Sequence, residues 1–389
     1  MKLCFWWSIV SQHQSAYVRE LARSNDVVVV AERHISEDRE QLGWGVPDLG
    51  NARIIVDPTD SQMRELLRES DERIHVLQGW RGCRLCRRVL SRRNRPARFG
   101  VVVEACDERG TRGFIRTLYY RALLASRNGK ADFVFSMGSM GEGYYRKCGI
   151  QSDSLFPFCY TVDRSGLTAK PAVHGHTEST VRVLYIGQLC KRKGVDLLLR
   201  GLHANYDQGW QGEVIGDGPQ MEELRRLCTS LKMEGRVHFR GTMAHISAME
   251  RLSASDLLVL PSRHDGWGAV VNEALMLGVP VICTDRCGAW DLIRAPWLGS
   301  VVRAGSVSSL ADALGLWIGR GKKTRMQSEY MKDWSACIEG PAIASYFASV
   351  LEHVYHDAPR PVAPWRTELA ASMRAHDARA KDQHCQVDC

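Results

Sequence analysis

The chain has 389 residues, 44% hydrophobic and 25% charged, with a formal net charge of +8. That length suits two soluble domains of roughly 150–200 residues each, and no run approaches the roughly 18 apolar residues that a membrane span needs. Thirteen cysteines, an odd number spread from Cys4 to Cys389, argue against a disulfide framework and for a reducing, cytoplasmic setting.

The opening segment, MKLCFWWSIVSQHQSAYVREL, holds a short apolar run after one lysine. It lacks a small-residue cleavage site and leads into an amphipathic pattern, so it reads as a first buried strand, Lys2 to Trp7, and not as a signal peptide. Further strands are predicted from Val27 to Ala31, Ile74 to Gln78, Arg98 to Glu104 and Phe133 to Ser136. The helices between them include Ser15 to Arg23, Leu85 to Arg93 and Phe114 to Ser126. This alternation predicts a parallel α/β domain over residues 1–163.

Within that domain, residues 81–98 (RGCRLCRRVLSRRNRPAR) carry eight arginines and no acid. A solvated face accounts for such a run. So does an anionic membrane surface contacted through Arg81 to Arg98, with Leu85, Val89 and Leu90 as an apolar edge. Nucleic acid is not expected, because no aromatics interleave with the arginines after Trp80. Cys83 and Cys86 form a lone CxxC without a second pair, and read as two helix-facing thiols.

From Asp163 to Thr180 the chain is poor in large apolar residues, which predicts a linker over 164–180. A second α/β series then starts at Val181 with VRVLYIG (strand), VDLLLRGLHANY (helix), GEVIG (strand), QMEELRRLCTSLK (helix) and VHFRG (strand). This domain is expected over 181–340. An amphipathic helix, Ala342 to His356, lies in a segment (341–357) expected to cross back to the first domain. The polar tail, 358–389, is expected to be poorly ordered or loosely packed.

The most telling stretch is LLVLPSRHDGWGAVVNEALMLGVPVICTD, from Leu257 to Asp285. It reads as strand (Leu257 to Ser262), glycine-bearing loop, helix (Ala269 to Leu277) and strand (Val279 to Asp285). Glu273 has only apolar neighbours at helical spacing, namely Ala269, Val270, Met276 and Leu277. A carboxylate on such a face needs a partner. Backbone amides or a buried arginine would supply one, and so would ligand hydroxyls in the crevice at the carboxyl ends of parallel strands.

Three loops at strand ends have the composition of anion sites. Gly187 to Gly194 (GQLCKRKG) combines glycines with Lys191, Arg192 and Lys193 ahead of a helix. Gly216-Asp217-Gly218-Pro219 is a tight turn between strand and helix. In Asp265-Gly266-Trp267-Gly268 two glycines allow close backbone approach to a phosphate.

This order of segments resembles the donor domain of retaining glycosyltransferases of family 4, whose signature is a pair of acidic residues at the spacing of Asp265 and Glu273. The resemblance implies a GT-B fold, an α/β architecture of two Rossmann-like domains facing each other across a cleft. It also implies a nucleoside diphosphate sugar as donor, with Glu273 on the ribose and Asp265 on the sugar hydroxyls. The amides from Gly266 through Trp267 to Gly268, with Lys193, would hold the diphosphate, near Gly187, Gln188, Gly216 and Gly218. Phe239 and Arg240 would pack by the base. Gln188 stands where the family usually has Arg, and Asp265 where it usually has Glu. Lys193 and Asp265 are the candidate catalytic residues on this side, and His13 and Glu104 are their counterparts across the cleft.

No metal site and no organic cofactor are expected. The expected reaction is metal-independent transfer of a hexose-type sugar to a sugar or lipid-linked acceptor in surface polysaccharide biosynthesis, in the cytoplasm or peripherally on the inner face of the cell membrane. A soluble small-molecule acceptor, a GT-B-like sugar-nucleotide epimerase and a non-catalytic binding protein are the alternatives.

Overall fold

Alternating strands and helices build two parallel sheets, one per domain. The computed structural model describes residues 1–35, 45–68, 71–91, 96–126, 129–167 and 180–367. The first domain contains β1 (Lys2–Ile9), α1 (Gln12–Leu21), β2 (Asp26–Arg33), β3 (Arg53–Val56), α2 (Asp60–Arg68) and β4 (Arg73–Leu77). It continues with α3 (Arg84–Ser91), β5 (Phe99–Val103), α4 (Gly110–Ala125), β6 (Phe133–Met137), α5 (Gly138–Lys147) and β7 (Leu155–Phe158). Its seven strands run parallel in the order β3-β2-β1-β4-β5-β6-β7.

Period-two alternation divides the strand residues between two cores. Leu3, Phe5 and Trp7 of β1 enter one cluster with Val27, Val29 and Ala31 of β2. Cys4 and Trp6 enter the other with Val28 and Val30. Both faces of the sheet are thus covered, which is why these strands are continuous apolar runs.

The second domain contains β8 (Val181–Ile186), α6 (Val195–His203), β9 (Trp210–Ile215), α7 (Met221–Ser230), β10 (Val237–Gly241), α8 (His245–Ala254) and β11 (Leu257–Leu260). Then come α9 (Val270–Met276), β12 (Val281–Thr284), β13 (Gly299–Val302), α10 (Val307–Gly319) and α11 (Arg325–Trp334). Six parallel strands take the order β10-β9-β8-β11-β12-β13. The strand order reverses between β8 and β11, the topological switch point at which α/β sheets open a crevice.

Several elements escape the sequence pattern. β3 is a half-exposed edge strand. β7 carries Pro157, tolerated because β7 is also an edge. The helix α5 has three glycines in GSMGEGYYRK, a composition that propensity alone would not make helical.

The final helix α12 (Gly340–His356) lies on the first domain. Its Phe347 stacks on Phe135 at 5.0 Å and on Tyr17 at 5.8 Å. The tail differs from the loose segment expected, because within residues 358–367 two side chains, Ala363 and Trp365, are buried anchors. Trp365 is fully buried, and its Nε1 donates to Asp291 Oδ2 at 3.0 Å. Arg366 pairs with both Asp291 and Glu142, at 3.0 and 2.6 Å. Ser139 donates to the same buried Asp291, so one carboxylate ties both domains to the tail. Residues 368–389 and most of the linker, 168–179, lie outside the described residues.

The basic segment also needs correction. Leu85, Val89 and Leu90 are core residues, so no apolar edge of α3 is left for a membrane. Arg88 pairs with Asp60, Arg84 lies 3.9 Å from Asp57, and Arg98 and Arg81 sit over Tyr355 and Tyr119. Arg92, Arg93 and Arg95 are outside the described residues. The Cys83 and Cys86 sulfurs are 3.2 Å apart and buried, and among the described residues no cluster could hold a metal ion.

Candidate functional site

The carboxyl ends of β8, β9 and β10, with the loop after β11, converge on one cavity of ≈ 520 Å³. From the loop after β8 come Gly187, Gln188 and Lys193, and from the loop after β9 come Gly216 and Asp217. Thr242, Met243 and His245 follow β10, and Gly268 and Glu273 follow β11. His13, at the start of α1, enters from the opposite domain. A separate cavity of ≈ 420 Å³ opens beside Asp256 and Pro280, at the amino ends of β11 and β12, away from these loops.

Two glycines set the shape. Gly216 has φ +131°, and a Cβ there would stand 1.9 Å from the Gly187 carbonyl oxygen, so the first two loops meet only because Gly216 has no side chain. At Gly266 a Cβ would stand 2.0 Å from Glu104 Oε2 of the first domain. The domains therefore touch at the position where the third loop has no side chain.

Ion pairs hold the loops in register. Lys193 Nζ donates to Asp265 Oδ2 at 2.5 Å, with Arg192 at 3.7 Å from Oδ1. Arg263 makes a bidentate pair with Asp196, both contacts at 2.7 Å, and its amide donates to Arg192 O at 2.8 Å. Such forked pairs fix direction as well as distance. Lys193 and Asp265 therefore act as one unit, although Asp265 itself is set back from the cavity lining.

Glu273 is buried, and its partner is neither a backbone amide nor an arginine. His245 Nε2 lies 3.0 Å from Glu273 Oε1. That hydrogen bond, outweighing the burial that opposes it, holds the His245 pKa above its ordinary value. His245 starts α8, and the spacing of 28 residues carries no periodic signal. Sequence reasoning missed it, and a histidine opening a helix after a strand-end glycine, Gly241, was the cue available.

Other expected donor residues stand elsewhere. Phe239 and Arg240 face a different cavity beside α7, where Arg225 stacks over Phe239 at 5.4 Å and Arg240 pairs with Glu213 at 2.7 Å. The cavity wall beyond β10 is formed by Thr242 and Met243 instead. Trp267 is 1% exposed, with Nε1 donating to Asn272 Oδ1 at 2.8 Å, and it packs by Gly138 and Tyr160 of the first domain. Its side chain is a domain contact. Gly218 does not line the cavity and sits against Leu189, where a Cβ would meet the Leu189 oxygen at 2.5 Å.

Across the cleft, Glu104 directly follows β5 and accepts a hydrogen bond from the Tyr160 hydroxyl. It lines a first-domain cavity of ≈ 310 Å³ together with Gln14, Gln78, Arg81, Tyr120 and Tyr145. The side chain opens to the cleft, yet crowding by both domains raises its carboxyl pKa, chiefly through desolvation and further through Asp265; Tyr160 opposes the rise. Tyr160 also stacks near His13, with ring centroids 5.6 Å apart. The seam between the two cavities is thus formed by His13, Tyr160, Glu104 and Gly266.

The fold and this crevice define the class. The architecture is GT-B, two Rossmann-like domains across a cleft, and residues 168–334 match the family described as glycosyl transferases group 1. Alpha-D-kanosaminyltransferase of Streptomyces kanamyceticus is 31% identical over 134 residues, 34% of this chain and 35% of that one. A GDP-mannose-dependent alpha-(1-6)-phosphatidylinositol monomannoside mannosyltransferase of Mycobacterium tuberculosis is 30% identical over 154 residues, 37% and 40% of the two chains. The chain spans between 18% and 35% of the length of the first curated relatives it matches. Among solved structures, Anabaena HepE in complex with UDP and glucose superposes with a TM-score of 0.65 at 14% identity, covering 90% of this chain and 100% of that one.

Proposed function

We propose that this chain is a retaining glycosyltransferase that moves a hexose-type sugar from a nucleoside diphosphate to a lipid-linked or membrane-proximal acceptor, in assembly of surface polysaccharide. One observation carries the reading. Gly187, Gln188, Lys193, Gly216 and Glu273, from three separate loops, line a single cavity that His13 closes from the other domain. The group 1 match and the names of the relatives support the same class.

The chemistry follows from charge. Cleavage of the sugar–phosphate bond gathers negative charge on the leaving diphosphate and leaves oxocarbenium character on the sugar. Lys193, released from Asp265 by an entering phosphate, meets that charge, and Asp265 is freed to accept from sugar hydroxyls. His245 occupies one oxygen of Glu273, leaving the other for the ribose. Front-face attack, with the leaving phosphate oxygen taking the acceptor's proton, preserves configuration without a protein nucleophile. Glu104, with its raised pKa, orients the acceptor hydroxyl beside Gly266. Lys193 and Arg192 supply the positive charge, so the mechanism needs neither metal ion nor organic cofactor.

The test is a thermal-shift screen of nucleoside diphosphate sugars followed by product analysis with the labelled donor. One donor should stabilise the protein, by about 2.7 kcal/mol at a hundredfold excess over Kd. Glu273→Gln should weaken that shift. A sugar altered without transfer to any acceptor would instead make the chain an epimerase, and stabilisation by no donor would sink the proposal.

A further inference from the structure

Helix α4 presents the apolar surface that α3 does not. Phe114, Ile115 and Leu118 are 62%, 64% and 47% exposed, three large apolar side chains within five residues of one helix. At roughly 100° per residue they form one stripe with Thr111 and Ala122. Arg121 borders the stripe on one side, Arg112 and Arg116 on the other, and all three are exposed. The sequence GTRGFIRTLYYRALLA contains no acid.

The inward face is firmly held. Tyr120 meets Trp80, Tyr144 and Tyr145 edge-on, with centroids 6.3, 6.1 and 5.8 Å apart, and Gly113 presses on Glu108, where a Cβ would fall 2.2 Å from its carbonyl carbon. Among the described residues this apolar stripe is therefore left uncovered, which marks it as an interaction surface. Tyr120 also lines the ≈ 310 Å³ cavity that contains Glu104, so this one helix joins the exposed stripe to the first-domain cavity.

The geometry points to an anionic lipid bilayer as the occupant of this face. The stripe would sink into the headgroup region, and the flanking arginines would meet lipid phosphates. A second copy is disfavoured, because a twofold contact would set Arg112, Arg116 and Arg121 of both copies against one another with no acid on the helix to balance them. The choice of a lipid-linked acceptor rests on the function proposed above; the docking surface does not.

Co-sedimentation of the full chain with vesicles tests the idea, using phosphatidylcholine alone or mixed with phosphatidylglycerol, without any sugar nucleotide. The wild type should partition to the mixed vesicles. Phe114→Ser, Ile115→Ser and Leu118→Ser combined should reduce that partition about tenfold. Arg112→Gln, Arg116→Gln and Arg121→Gln combined should abolish the preference for anionic over zwitterionic vesicles, as should high salt. Arg84→Gln with Arg87→Gln on α3 should stay within about threefold of the wild type. These positions are all exposed, and a melting temperature for each variant verifies folding. Absence of wild-type binding, or equal binding by the serine variant, would overturn the proposal. So would a wild-type dimer that the serine variant converts to monomer. Because no donor is present, a negative result leaves the donor-cleft reading untouched, and a failed donor screen leaves the vesicle result standing.

Discussion

The two walls of the cleft are built on different principles. The second-domain wall brings main chain to the cavity at three glycines, Gly187, Gly216 and Gly268, beside the Lys193 and Glu273 side chains, and the Lys193–Asp265 and Arg263–Asp196 pairs fix its loops. The first-domain wall is side chain, with Gln14, Gln78, Arg81, Glu104 and tyrosines drawn from many elements. Backbone cradles suit a chemically constant group such as a diphosphate, and side-chain walls can change with the acceptor.

The strongest challenge to that contrast is Trp267, which stands in the glycine loop but is assigned here to the domain contact. Trp267→Ala should destabilise the protein by about 3–5 kcal/mol in urea unfolding, as for other buried aromatics. A loss below about 1 kcal/mol together with weakened donor binding would return Trp267 to the donor wall. Next is Lys193→Ala, expected to lower turnover about 10²–10³-fold, the scale of removing one group that stabilises transition-state charge. A smaller loss than Glu104→Gln produces would place the chief electrostatic work on the first domain.

The His245–Glu273 pair gives a pH signature. Because the folded pKa of His245 is raised, its stabilisation is full below about pH 6.5 and fades as pH rises through the higher folded value. The melting-temperature gap between wild type and His245→Gln should therefore be wider near about pH 5.5 than near about pH 9. A gap independent of pH would mean the pair carries no net charge coupling.

Glu104 sharpens the contrast from the other side. Its folded pKa is raised above the usual carboxylate value, so stability from this group is full below about pH 4.3 and declines as pH rises through the raised value. Glu104→Gln should then stabilise the protein at about pH 8 and do little at about pH 4. Equal effects at both would refute the pH-dependent cost of holding that carboxylate in the cleft. The smallest effect belongs to Phe239→Ala, which should leave donor affinity within about twofold, since Phe239 faces another cavity; a loss of ten-fold or more (about 1.4 kcal/mol) would restore it as a base contact.

Legibility followed the same division. Glycine spacing and strand periodicity are local, so the loops at Gly187, Gly216 and Gly266 and the strands they follow could be read from the chain. Edge elements such as β3 and β7 could not, because they bury little and their patterns are weak. Glu273 was recognisable as a carboxylate in need of a partner, but that partner, His245, comes from a different helix.

The sequence by itself determined two parallel α/β domains and three anion-suited loops, because strand alternation and positive-φ glycines are requirements of the local backbone. Only the tertiary structure decided which surfaces remain. It buried Leu85, Val89 and Leu90 of α3, the residues that read as an exposed apolar edge, while leaving Phe114, Ile115 and Leu118 of α4 in water. It also carried Trp365 back onto Asp291 from a tail whose composition predicted loose packing. Exposure depends on what the rest of the chain covers, and no local pattern contains that information.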